Sequence, residues 1–120
     1  MKAFRLSALA ATLGASFVLA SAAQAEVIKI AAVGRVTGPV TQYGDMVREG
    51  IMTAIEKVNA EGGINGNTFE MVQVDDACEP KQGPTSANSV VNQEIKFVVG
   101  PVCSGATLGS APIFDEQGII

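Results

Sequence analysis

The 120-residue sequence has no histidine and no tryptophan, one tyrosine and two cysteines. Without histidine, the chain has the residues for neither a Ser-His-Asp triad nor a histidine-based metal site. The glycines at positions 62, 63 and 66 follow a helical pattern instead of opening one, so they match neither a P-loop nor a dinucleotide fingerprint. We therefore expect no enzyme activity, no cofactor and no metal site.

Basic residues are also scarce, with 8 lysines and arginines against 12 aspartates and glutamates. Two of the basic residues, Lys2 and Arg5, lie within the first 25 residues, so loss of that segment gives a net charge of 6 minus 12, or −6. Negative charge disfavours binding to nucleic acids and anionic membranes, and it keeps proteins soluble and monomeric. We expect a monomer with no nucleic-acid partner.

The first 25 residues have the pattern of a secretory signal. Basic residues at positions 2 and 5 precede an apolar run at 6–20, and the letters AQA at 23–25 form a small-residue cleavage site. An uncleaved membrane anchor is the alternative, but the run is short for a span of about 20 apolar residues and contains polar side chains. The sequence has no cysteine near the cleavage site, and this absence argues against a lipid-anchored lipoprotein. We predict a cleaved signal peptide at 1–25 and a periplasmic mature protein.

The two cysteines are Cys78 and Cys103. In an exported chain, such a pair favours one disulfide over a metal site. Closing a loop of about 26 residues stabilises a small domain by roughly 3 to 4 kcal/mol in the chain-entropy model. A redox-active pair is the alternative, although the C-x-x-C spacing typical of it is missing.

Strand and helix patterns alternate along the mature chain. A nearly continuous apolar run predicts a first strand buried on both faces, and the polar residues of the second strand indicate a sheet edge. The predicted order is strand 27–34, helix 43–58, strand 68–74, a weaker helix ending at 95, strand 96–100, helix 108–114 and an apolar end at 118–120. Gly50 inside the first helix suggests close backbone packing, and Gly62-Gly63 predicts a left-handed helix end.

This alternation predicts an α/β fold, a doubly wound parallel sheet with right-handed crossovers. In the common strand order 2-1-3, the first and third strands are neighbours at the topological switch point, where open sheets bind ligands. The loops at 34–43 and 100–105 then flank one crevice. Because the end at 118–120 is typical of a further buried strand, we expect residues 26–120 to be an incomplete N-terminal lobe.

The loop at 100–107, GPVCSGAT, has the features of a binding loop for a small polar ligand. The helix that follows offers unpaired N–H groups and the positive end of a dipole to a carboxylate or phosphate. Ser104 fits two roles, since a hydroxyl can cap the helix and also reach a ligand. Val102 is predicted to form a wall of the crevice, and Tyr43 either packs internally or lines the crevice.

Two adjacent acids, Asp75 and Asp76, follow the second predicted strand. Paired carboxylates are able to bind a metal or perform acid-base chemistry. However, neighbouring residues at the end of a strand point in opposite directions, and an acid before a helix is typically an N-cap. We interpret one of the two acids as the N-cap of the second helix.

Several segments, in the same order, closely resemble the periplasmic leucine/isoleucine/valine-binding proteins of bacterial ABC transporters. The segments are IAAVG at 30–34, TGP at 37–39, QYG at 42–44, NAEGGING at 59–66, DDAC at 75–78, PKQ at 80–82 and GPVCS at 100–104, together with the signal peptide. The resemblance covers essentially the whole mature chain. It implies a type I periplasmic binding protein, in which two doubly wound lobes close on the ligand.

The resemblance also implies roles for individual residues. Cys78 and Cys103 are expected to form a disulfide, Tyr43 to contact the ligand side chain, and Val102, Cys103 and Ser104 to line the site, with the serine meeting the α-carboxylate. The rest of the site, on a second lobe, is expected beyond residue 120.

Two departures from the family pattern concern the second helix and the ligand preference. Pro80 sits where a first helical turn would begin, but Gly83-Pro84 replaces helix-forming residues and allows a start as late as Pro84. Gly105 replaces a small polar residue, which removes one potential hydrogen bond and leaves the preferred amino acid open.

Three functions are compatible with the sequence. The leading hypothesis is a solute-binding protein that captures a branched-chain aliphatic amino acid, leucine, isoleucine or valine, and delivers it to an inner-membrane ABC permease. The runner-up is a ligand-sensing lobe of a regulator or receptor with the same fold, which binds an amide or another amino acid. The third is an exported thiol enzyme based on Cys78 and Cys103, which requires free thiols.

Overall fold

The computed structural model describes residues 24–37 and 41–120. The predicted signal peptide, apart from its last two residues, and the Gly-Pro pair at 38 and 39 lie outside these ranges. Three strands alternate with three helices, as the sequence pattern predicts. The elements are β1 (Val27–Gly34), α1 (Gln42–Ala60), β2 (Thr68–Asp75), α2 (Gly83–Asn92), β3 (Phe97–Val99) and α3 (Ser104–Glu116).

The strands form a parallel sheet in the order β2-β1-β3. Strand β1 pairs with β2 along its whole length, from Val27 opposite Thr68 to Gly34 opposite Asp75. Its other edge pairs with β3, where Ile30 lies opposite Phe97. The predicted order 2-1-3 is therefore confirmed, and the carboxyl ends of all three strands lie at one edge of the sheet.

The core lies between the sheet and the helices α2 and α3. The middle of β1 is fully covered, because Ala31 and Val33 are inaccessible to solvent. Burying a valine side chain contributes about 1.5 to 3 kcal/mol, so the burial of Val33 stabilises the fold. The other buried members of the cluster are Val74, Val90, Ile95 and Ile119. Ile120 continues the sheet, since its amide donates to the carbonyl of Lys96 and its carbonyl accepts from the amide of Val98.

Helix α1 ends as the sequence predicts but does not pack as predicted at Gly50. Gly62 and Gly63, with φ values of 95° and 78°, adopt the left-handed conformation that follows many helices. Gly50 is exposed, and a Cβ added there would meet no atom within 4 Å. The predicted close packing at Gly50 is therefore wrong, because this position faces solvent.

Helix α2 starts late, at Gly83, with Pro84 in its first turn. The sequence allows a start as late as Pro84 instead of near Pro80. The observed helix begins one residue before Pro84, at Gly83. Gly83 is buried against the backbone of Ala106 in α3, where a Cβ would overlap the carbonyl oxygen. The absence of a side chain thus allows α2 and α3 to approach closely, and this contact brings the start of α3 next to the start of α2.

Candidate functional site

The loops that follow β1 and β3 meet above Gly34, the last residue of β1. A methyl group added to Gly34 would lie 3.5 Å from Cγ2 of Val102 and 3.8 Å from the Cα atom of Gly44. Val102 comes from the loop after β3, and Gly44 comes from the first turn of α1. The two predicted loops therefore flank a common region at the carboxyl edge of the sheet.

The first loop leads into α1, whose start packs tightly on it. Gly44 is buried, and a Cβ at this position would overlap the carbonyl oxygen of Arg35. Only glycine permits this contact without movement of the backbone. Tyr43 precedes it in the first turn of α1, so it is helical instead of lying in the loop, and 54 % of its surface is exposed. The side chain of Tyr43 is therefore accessible to solvent, and its contact with a ligand stays a prediction.

The second loop begins at Gly100, which has a φ of 111° and lies against the carbonyl of Val33. Val102, 41 % exposed, follows it. Thr107 stabilises the loop from within the helix, because its hydroxyl hydrogen bonds to the carbonyl oxygens of Pro101 and Cys103 at 3.2 and 3.0 Å. This contact was not predicted from the sequence, although a threonine one turn into a helix is a recognised partner for carbonyl groups four residues earlier.

Helix α3 begins at Ser104, and Cys103 is its N-cap residue, with an extended backbone. The predicted capping role of Ser104 is therefore wrong, because the helix begins at Ser104 itself, one residue earlier than a serine cap requires. Among the described residues, no side-chain hydrogen bond caps α3, and Ser104 is exposed. The first-turn amides of residues 104–106 have no preceding helical carbonyl to bind, and the helix dipole places partial positive charge there. This end of α3 is suited to a carboxylate.

Cys78 and Cys103 form a disulfide, with their Cα atoms 5.3 Å apart. The bond joins the turn after β2 to the residue that immediately precedes α3. Both cysteines are oxidised, so the thiol-enzyme hypothesis loses the free thiols that it requires. Disulfide formation is confirmed, and it attaches the base of the second loop to the neighbouring turn.

The prediction that one of the two acids caps α2 is wrong. The N-cap residue of α2 is Gln82, well beyond Asp75 and Asp76. Asp75 instead accepts hydrogen bonds from the amides of Val36 and Ala77, both at 2.9 Å, and from the hydroxyl of Thr37 at 2.6 Å. Thus one acid connects the turn after β2 with the loop after β1.

The same hydrogen bonds alter the acidity of Asp75. Slight burial acts to raise the pKa of its carboxyl, but bonds from the Thr37 hydroxyl and from the amides of Val36, Ala77 and Thr37 outweigh that effect. The pKa therefore lies below its ordinary value of 3.8. Asp75 remains a carboxylate at neutral pH.

Asp76 points the other way, into the protein, where only 1 % of its surface is exposed. Its Oδ1 accepts a hydrogen bond of 2.8 Å from the amide of Cys78, whereas its Oδ2 has no partner within the described part of the chain. The two acids therefore act on different neighbours, as the alternation of side chains at a strand end predicts.

Within residues 24–37 and 41–120, no three acidic, cysteine or histidine side chains are grouped in a way that would hold a metal ion. In the same ranges, no helix combines the length and apolar character needed to cross a bilayer.

A family model described as "Periplasmic binding protein" matches residues 27–120. The chain belongs to the periplasmic binding protein family. One relative is the leucine-, isoleucine-, valine-, threonine-, and alanine-binding protein of Pseudomonas aeruginosa, which is 48 % identical over 116 residues. That alignment covers 97 % of this chain but 31 % of the relative, so the chain spans less than a third of the length of this curated family member.

Solved structures support the fold assignment. The branched-chain amino acid transporter substrate-binding protein LivJ from Streptococcus pneumoniae, in complex with isoleucine, has a TM-score of 0.71 and 31 % identity, with 78 % of this chain and 27 % of that protein covered. A periplasmic binding protein type 1 from Bordetella pertussis gives a TM-score of 0.70 at 31 % identity, with 77 % and 25 % covered. The predicted fold, a partial type I periplasmic binding protein with a parallel α/β sheet, is confirmed.

Proposed function

We propose that residues 26–120 are the N-terminal part of a periplasmic solute-binding protein that captures leucine, isoleucine or valine and delivers it to an inner-membrane ABC permease. The observation that carries this proposal is the uncapped N-terminus of α3, where an exposed Ser104 stands beside the exposed Val102. A zwitterionic aliphatic amino acid needs both a carboxylate partner and an apolar wall. The names of the P. aeruginosa and S. pneumoniae relatives support this ligand class.

Each predicted site residue has a distinct task in this proposal. The amides at the start of α3 and the Ser104 hydroxyl receive the α-carboxylate, because aligned N–H donors stabilise an anion there. Val102 and the ring of Tyr43 contact the aliphatic side chain, and the backbone of Cys103 completes the wall. A second lobe, further along the complete protein, closes over the ligand, so that binding shifts the population toward a closed state.

The decisive experiment uses a hybrid protein, in which residues 26–120 of this chain replace the matching part of the P. aeruginosa relative. Isothermal titration calorimetry with leucine, isoleucine and valine should give saturable binding, whereas lysine and glutamate serve as ligands without a matching side chain. Residues 26–120 alone should bind leucine poorly, because one lobe cannot enclose it. A folded hybrid that binds none of the three aliphatic amino acids would refute the proposal.

A further inference from the structure

Asp75 connects two loops that are far apart in sequence. Its Oδ1 accepts hydrogen bonds from the amides of Val36 and Ala77, and its Oδ2 accepts one from the Thr37 hydroxyl. Two of these donors lie 39 and 38 residues earlier in the chain, in the loop that leads to Tyr43. The Asp75 side chain therefore extends the contact between the end of β1 and the turn after β2, which begins with the pairing of Gly34 and Asp75 and the bond from the Asp76 amide to the Gly34 carbonyl.

A disulfide attaches the turn after β2 to the loop after β3. Ala77 and Cys78 both have positive φ values, 48° and 58°, a conformation that costs energy for residues with a side chain. Asp75 accepts the amide of Ala77 and Asp76 accepts the amide of Cys78, so the two acids stabilise this turn. The turn presents Cys78 to Cys103, with which it forms the disulfide.

These contacts form a continuous connection from Thr37 through Asp75 and the disulfide to Cys103, the residue before Ser104. Of the links in it, the contact between Asp75 and the first loop consists of side-chain hydrogen bonds that lie just beyond the last strand pair, Gly34 with Asp75. That contact holds Val36 and Thr37 relative to the start of α3, together with the packing of Gly44 on Arg35.

We propose that Asp75 is a positioning residue of the ligand site, which fixes the loop before Tyr43 relative to the start of α3 without itself contacting the ligand. The inference rests on the proposed function, because it assigns these two segments to one binding site. Since a site that is already ordered loses less conformational entropy on binding, loss of Asp75 should weaken ligand affinity even when the protein remains folded.

The choice of variants follows from the three hydrogen bonds. Asp75→Asn keeps an acceptor oxygen for the amides of Val36 and Ala77, and its new amide group can donate to the Thr37 hydroxyl. Asp75→Ala removes all three bonds. Glu70→Gln is the matched control, because Glu70 is an exposed acid on the same strand whose carboxylate lies 4.0 Å from Lys29 and contacts neither loop.

The first measurement is hydrogen exchange of the Val36 amide in the chain itself, followed by NMR. Asp75→Ala should accelerate this exchange about tenfold or more relative to the wild type, whereas Asp75→Asn and Glu70→Gln should change it less than about threefold. Thr37→Val, which removes one bond, should have a smaller effect that is not additive with Asp75→Ala. Wild-type exchange of Val36 in Asp75→Ala would overturn the proposal.

The second measurement is leucine affinity in the hybrid protein at a temperature where each variant is folded. Asp75→Ala should weaken binding about tenfold, and Asp75→Asn should restore affinity to within about threefold of the wild type. Faster exchange with unchanged affinity would overturn the positioning role and leave Asp75 a purely structural residue. Lack of leucine binding by the wild-type hybrid would instead refute the proposed function, while the exchange data would still decide whether Asp75 holds the loop.

Discussion

Gly44 lies directly on the carbonyl group of Arg35, so closely that a Cβ would overlap the oxygen. We predict that Gly44→Ala pushes α1 away from the first loop and lowers the free energy of unfolding by about 1 to 3 kcal/mol, the usual cost of overpacking. Urea unfolding followed by circular dichroism measures this effect.

Gly50→Ala is the matched control in the same helix, because an added Cβ there meets nothing within 4 Å. Removal of a glycine from an exposed helical position should raise the free energy of unfolding by about 0.5 to 1 kcal/mol. Equal effects of the two substitutions would show that helix propensity, and not the contact with Arg35, determines the result at Gly44.

The Ser104 hydroxyl is expected to matter for the ligand and not for the helix, since no side-chain hydrogen bond from residues 24–37 or 41–120 caps α3. In the hybrid protein, Ser104→Ala should weaken leucine binding by about 1 to 3 kcal/mol, the scale for loss of a hydrogen bond to a charged group. Calorimetry measures the change, and Thr85→Ala, at an exposed position of α2, is the control. Unchanged affinity would remove Ser104 from the site.

The Cys78–Cys103 disulfide should stabilise the chain substantially, because it closes a loop with a sequence separation of 25. Reduction, or a Cys78→Ser/Cys103→Ser double substitution, should lower the free energy of unfolding by roughly 3 kcal/mol. Urea titrations with and without reductant test this. The unreduced protein should also resist thiol-labelling reagents, and rapid labelling before reduction would contradict the disulfide.

The lowered pKa of Asp75 makes its contribution to stability depend on pH. An aspartate carboxyl in the unfolded chain has its ordinary pKa of 3.8, and the pKa of Asp75 in the folded chain is lower. Its contribution is therefore present above the unfolded pKa and is lost as the pH falls through the folded pKa. Two charged groups lie near the Asp75 carboxylate. Arg35 donates a hydrogen bond to the carbonyl of Thr37, and Asp76 is the next residue in the chain.

The measurement compares wild type with Asp75→Asn, a variant in which this position does not titrate. The wild type should lose stability relative to the variant as the pH decreases from about 6 to about 2, in urea titrations at several pH values. Because Arg35 and Asp76 are common to both proteins, their own effects largely cancel. A stability difference that stays constant over this range would contradict the assignment.

The sheet was predictable because its signals are local or follow general rules. The uninterrupted apolar run of β1 indicates a central strand, and right-handed crossovers then restrict the strand order. The predicted helix 108–114 is shorter than α3, which begins at Ser104, and the N-cap was missed by one residue because serine is preferred at that position, whereas Cys103 occupies it with an extended backbone. Similarly, the sequence could not distinguish the exposed Gly50 from a packing glycine.

The role of Asp75 was missed for a different physical reason. Its bond to Thr37 spans 38 residues, and helix-capping rules consider only neighbours along the chain. One signal of this contact was nevertheless present in the sequence, since an acid at the carboxyl end of a strand lies near the loop that leaves the adjacent parallel strand. Once β1 and β2 are assigned as neighbours, Asp75 and the loop at 35–37 are brought together.

The pairing of β1 with β2 over eight residues also bears on how this protein can be attached to a surface. At about 3.3 Å per residue, the strand separates its first residue from the carboxyl edge by roughly 25 Å. The amide of Thr68 donates to the carbonyl of Glu26, so the predicted mature N-terminus is fixed at the opposite edge of the sheet. An immobilisation tag joined there through a short spacer would therefore leave the crevice unobstructed.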